Sequence, residues 1–169
     1  MGAGVTRYQA PARLTQARAE LPGDSWRAEL SPTGEFVVEI SAGSRKQVLR
    51  LFHDREPAPR GDVTFVASAL NDIDALLRLV NGRETVESSS LREIGERYEA
   101  ATTGPWVCHL ESAGGLGGSN VITMEGSEAD LYLELDGGTA PDIYWSFVAV
   151  AHSEIPKMLA SLRGEQDNR

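Results

Sequence analysis

Cys108 and His109 place a thiol beside an imidazole, the two groups a cysteine nucleophile needs. Their adjacency works against them. Trp106 to Leu110 reads as a strand, and neighbours on a strand point to opposite faces. His53 and His152 stand at no spacing used by metal sites, and His152-Ser153 has no acid placed to complete a triad. The run Gly114-Gly115-Leu116-Gly117-Gly118-Ser119-Asn120 invites a phosphate-loop reading, but a P-loop ends in Gly-Lys-Ser/Thr. A dinucleotide fingerprint needs a helix next, and Val121-Ile122-Thr123-Met124 reads as a strand. The run is therefore expected to be a flexible hairpin loop, able to close over a ligand or partner. Glu125, Glu128 and Asp130 crowd one connection without EF-hand spacing, and no spacing selects a carboxylate pair for glycoside hydrolysis. These residues favour binding over catalysis, with no metal and no cofactor.

Charge is the stronger signal. The 169 residues carry a formal charge of −9 and a pI near 4.8, which argues against a nucleic-acid binder with its basic face. Residues 1–84 hold 11 Lys+Arg and 11 Asp+Glu, whereas residues 85–169 hold 5 and 14. Between 111 and 142 lie Glu111, Glu125, Glu128, Asp130, Glu134, Asp136 and Asp142, with no Lys or Arg. Such a patch can steer a basic protein partner, or it can be a solvated face that aids solubility. The candidate partner-binding residues are Glu111, Glu125, Glu128, Asp130, Asp136 and Asp142. Trp145, beside Tyr144, joins them as an aromatic anchor if it is exposed.

The elements that must carry these residues come in two similar sets. Ala58-Pro59 recurs as Ala140-Pro141, and Phe65-Val66-Ala67 recurs as Phe147-Val148-Ala149, at an offset of 82. Ala69, Ile73, Leu77 and Gly82 recur as Ala151, Ile155, Leu159 and Gly164. Arg18-x-Glu20 before Trp26 echoes Arg97-x-Glu99 before Trp106. The chain is read as a tandem duplication of an α-β-β-β-α unit, copy one at 1–84 and copy two at 85–169. The class is α+β: antiparallel sheets with helices packed on one face, related by a pseudo-two-fold axis.

Each unit opens with a short helix. Leu14, Ala17 and Leu21 mark the first, ended by Pro22-Gly23. Ser90-x-x-Glu93 caps the second, which Thr103-Gly104-Pro105 stops. Strands are expected at 26–30, 36–40 and 48–52, then at 106–110, 120–124 and 131–135. A closing helix follows in each. The first carries the stripe Val66, Ala69, Leu70, Ile73, Leu77 and Val80, with Arg60, Asp62, Asp74 and Arg78 mostly off it. In the second, Pro156 is expected to end or kink the helix, or to start a new one behind Ser153. Gly82 to Ser89 reads as a polar linker.

No apolar run approaches the roughly 18 residues that span a membrane, and Met1 to Arg7 lacks the core of a signal peptide. One cysteine permits no internal disulfide. The expected compartment is the cytoplasm.

The stretch Arg97-Tyr98-Glu99-Ala100-Ala101-Thr102-Thr103-Gly104-Pro105-Trp106, with Ala140-Pro141 and Phe147-Val148-Ala149-x-Ala151, resembles small proteins of phages and actinobacteria, nearest to the Ead/Ea22-like phage proteins. The resemblance covers mainly copy two and implies an accessory role. The expectation is a non-enzymatic protein of immunity or inhibitor type, blocking a basic partner through the acidic copy. The alternatives are a small-ligand or enzymatic cleft between the copies, and an assembly subunit.

Overall fold

The computed structural model describes residues 8–22, 25–82, 88–113 and 119–167. The glycine run at 114–118, most of the 82–89 linker and the first seven residues lie outside this set. Among the described residues, four α-helices and eight antiparallel strands form a mixed α+β structure. The order is α1 (Ala12–Glu20), β1 (Ser25–Leu30), β2 (Phe36–Ala42), β3 (Arg45–His53), β4 (Glu56–Pro57) and α2 (Arg60–Val80). Then come α3 (Ser88–Ala100), β5 (Trp106–His109), a 3₁₀ turn (Glu111–Ala113), β6 (Val121–Met124), β7 (Leu131–Leu135), β8 (Gly138–Thr139) and α4 (Asp142–Asp167). The short strands β4 and β8 are additions to the three strands per unit read from the sequence.

Three helices begin directly after a proline: Pro11, Pro59 and Pro141. Proline presets φ for a helix start, where its missing N–H removes no bond. Helix α2 stops at Asn81 and Gly82, whose φ of +70° suits glycine. Gly61 allows α2 to start hard against the end of α3, since a side chain there would overlap the Ala100 carbonyl.

The main sheet runs β1-β2-β3-β7-β6-β5, so β3 and β7 join the two halves at its centre. Its register puts Trp26, Ile40, Val38, Leu49, Leu51, Leu133, Leu131, Ile122 and Trp106 on one face. All are buried in a core that also takes the inner sides of α2 and α4. Helix α2 lies on β1 and β2, α4 lies on β5 and β6, and the two helices pack together. The other sheet face carries cross-strand ion pairs: Arg27–Glu39, Lys46–Glu39, Arg50–Glu35 and Arg50–Glu134. Alternation of period two separates these faces.

Two expectations need correcting. Pro156 lies inside a continuous α4, which it does not end. It removes only the bond to the His152 carbonyl, and buried Ile155, Met158 and Leu159 hold the helix on the core around it. Asp62, expected off the apolar stripe, is fully buried, because hydrogen bonds satisfy its carboxylate there.

Candidate functional site

The ends of β3, β7 and β8 and the start of α4 enclose a cleft of about 1130 Å³. Two aspartates shape its strand ends. Asp54 and Asp136 both hold positive φ, 53° and 49°, a conformation short polar side chains tolerate. Asp54 N–H donates to the Asp130 carbonyl, and Asp130 N–H donates to Asp54 Oδ1. Asp136 N–H donates to the Val48 carbonyl, and Val48 N–H donates to Asp136 Oδ1.

One side is built around Asp142, the exposed first residue of α4. Its oxygens accept from Asn120 Nδ2 at 2.8 Å and Ser112 Oγ at 2.8 Å. Asn120 is itself held, because its Oδ1 accepts from Glu111 N–H at 2.8 Å. The bonds from Asn120 and then Ser112 keep the Asp142 carboxyl below its ordinary range, so it is anionic at neutral pH. A helix N-terminus favours that charge. The apolar side is Phe52, Tyr132 and Trp145. Tyr132 and Trp145 meet edge to face, with centroids 6.5 Å apart. Burial, then Asp130 and Asp54, raise the Tyr132 hydroxyl above its ordinary pKa, so it stays protonated. Asp54, Glu111, Glu134 and Asp142 line this space against one cation, Arg55, among its described lining residues.

Of the candidate residues, Glu111, Asp142 and Trp145 come together here, and Asp136 adjoins the cleft at Gly137. Asp130 directly precedes β7 and is tied to the lining residue Asp54, without itself lining the cleft. Glu125 and Glu128 lie on the β6–β7 connection, where Glu125 N–H donates to the Pro105 carbonyl, and they do not line the cleft. Trp145 is not an exposed anchor. It is 1% exposed, and its indole N–H donates to the Ala140 carbonyl, so it reaches the cleft only as part of a wall. The residues missed by sequence were Asn120, Tyr132, Phe52 and Asp54. Asp54 and Asp136 stand 82 apart, the offset at which the other sequence matches recur.

A second polar cluster lies under the sheet. Asp62 accepts from His53 Nε2 at 2.6 Å, Thr102 N–H at 2.6 Å and Thr102 Oγ1 at 2.8 Å. His152 stacks on Trp106 at 4.1 Å and meets Phe65 and Tyr98. Burial holds the His152 pKa down to about 4, against the Thr102 backbone and Asp62. Cys108 and His109 point apart, as expected: Cys108 packs against the core, while His109 meets Thr123 Oγ1 at 3.3 Å. Burial, aided by Asp142, pushes the Cys108 thiol up to about 11, which leaves it a poor nucleophile.

Among the described residues, no group of three or more His, Cys, Asp or Glu is placed to hold a metal ion. No helix among them is long and apolar enough to cross a membrane. The chain matches no protein-family model, no curated protein and no solved structure. Fold and site therefore define its class: an α+β protein with an acidic, aromatic-walled cleft.

Proposed function

We propose that this is a non-enzymatic binding protein that holds a basic segment of a protein partner in the acidic cleft, as an immunity or inhibitor protein of the cytoplasm would. The observation that carries the reading is the pinned, ionised Asp142 in a cleft with three further carboxylates, one described cation and an aromatic wall. Aromatic contact supplies affinity, and the field of the carboxylates speeds encounter. A smaller cationic ligand is the second reading, since Phe52, Asp54 and Arg55 of one half and the rest of the lining from the other place the cleft between the halves.

The halves themselves are read as two diverged copies about a pseudo-two-fold axis. The register of β3 on β7 supports this: Leu51 faces Leu133, its own counterpart at 82, and Leu49 and His53 face Leu135 and Leu131. The bonds of Asp54 with Asp130 and of Asp136 with Val48 exchange under the same offset. Trp26 meets Phe147 at 5.7 Å, and Trp106 meets Phe65 at 5.4 Å, both edge to face.

The test is panning of a random displayed-peptide library at about 50 mM and about 500 mM salt. Lys- and Arg-rich peptides should be enriched at low salt and lost at high salt. Reversing Glu111 and Glu134 to Lys should abolish their binding, and reversing Glu125 and Glu128 should weaken it only slightly. Enrichment of neutral peptides, or equal loss with both pairs, would overturn the assignment to this cleft.

A further inference from the structure

On the reading that a basic segment binds in the cleft, the fold also indicates which side chain enters it. Val38 lies opposite Leu49, and Ile122 lies opposite Leu131. Counting back two residues from Val38 and Ile122, Phe36 and Asn120 occupy matching places, Phe36 as the first residue of β2 and Asn120 just before β6. Arg60 and Asp142 match as the first residues of α2 and α4. In the first half this place holds a cation on a ring, with the Arg60 guanidinium 4.4 Å from the Phe36 centroid. In the second half it holds an anion on an amide, Asp142 on Asn120.

The charge is thus reversed at one position of the fold, and the anion there faces open cleft. We propose that an arginine side chain of the partner fills it, its guanidinium paired with Asp142 and its flat face against Tyr132. Each Asp142 oxygen accepts one described bond, so each keeps a lone pair for the incoming N–H groups. Arginine fits better than lysine because its planar fork can bridge two carboxylate oxygens while stacking on a ring. The Arg60–Phe36 pair is the same chemistry made within one chain.

The experiment is an amide NMR titration of the full chain with the blocked tripeptide acetyl-Gly-Arg-Gly-amide. Its lysine and citrulline versions are the controls. Arginine should shift the Asn120 side-chain amide and the Trp145 indole N–H, and bind about fivefold or more tighter than lysine. Citrulline has the shape without the charge and should give no shift. Asp142→Asn should weaken arginine binding about tenfold or more. Should that variant fail to fold, Tyr132→Leu leaves the Asp142 bonds in place and should still lower arginine affinity. No shift at either probe up to about 20 mM, citrulline equal to arginine, or unchanged binding by Asp142→Asn would each overturn the proposal. Lysine-rich peptides selected at the cleft without an arginine response would remove this inference and leave the acidic-cleft reading. Selection of no basic peptide at all would remove both.

Discussion

Asp62 is fully buried, and three donors converge on it, one from β3 and two from Thr102 beyond α3. Truncation to Ala leaves those donors facing an apolar space. A buried donor left unpaired costs about 1–3 kcal/mol, so Asp62→Ala should lower the urea midpoint sharply. A loss comparable to that of an exposed substitution would show that water reaches the site. His152 provides a pH test. Its pKa is about 4 folded and near 6.5 unfolded, because burial against Trp106, Phe65 and Tyr98 disfavours the charged ring. Between these values the unfolded chain binds the extra proton. The contribution of His152 is therefore whole above pH 6.5 and is lost as pH falls towards 4, by up to about 1.4 kcal/mol per unit. Leu70 stands 82 residues earlier on α2, so His152→Leu is the natural control. Unfolding free energies measured from pH 7 to 4.5 should fall less steeply in that variant. Equal slopes would assign the loss to other groups.

Among the elements, α4 shows where sequence reading succeeds and where it stops. Its stripe, Val148, Ala151, Ile155, Leu159 and Leu162, is buried as the helical spacing requires. Strand β7 was legible to the residue, since Leu131, Leu133 and Leu135 alternate along a half-covered sheet. As a helix end Pro156 misled, because a local rule ignores the apolar contacts that hold a helix down on both sides of a proline. Replacing it restores a backbone donor to the His152 carbonyl and removes a ring from the helix interior. Pro156→Ala should thus stabilise the protein, by at most about 3 kcal/mol, read from thermal or urea unfolding. Destabilisation would mean that the ring packs in a way alanine cannot replace. The cleft was only half legible. Composition marked its acids, but Asn120, Phe52 and Tyr132 reach it through the pairing of β3 with β7 and the docking of α4. That is long-range geometry which no local pattern encodes. The burial of Trp145 was invisible for the same reason.

The whole molecule is more interlocked than a chain of two domains. Helix α1 of the first half packs on α4 of the second, and α3 of the second packs on α2 of the first. Charges repeat the exchange: Arg13 pairs with Glu154 at 3.4 Å, and Arg97 with Asp72 at 2.8 Å. Burial works against the Glu154 charge, but Tyr8, Lys157 and Arg13 outweigh it and keep the carboxyl below its ordinary range. Trp26 stacks on Tyr144 at 5.8 Å, and Trp106 lies on Phe65, so each tryptophan is sealed by the other half's helix. A half on its own would expose the β3 or β7 edge and one face of its long helix. Units of about 80 residues with that much missing core are marginal. Residues 1–84 and 85–169, made separately, should therefore lack a cooperative unfolding transition and ordered tryptophan circular dichroism. Mixing them should restore both. A monomeric half that unfolds cooperatively would sink this account and make the two halves ordinary domains. Restoration on mixing would further place the cleft's formation under the same control, since its lining comes from β3 and β7 together. Arginine-peptide binding should then appear only in the mixture.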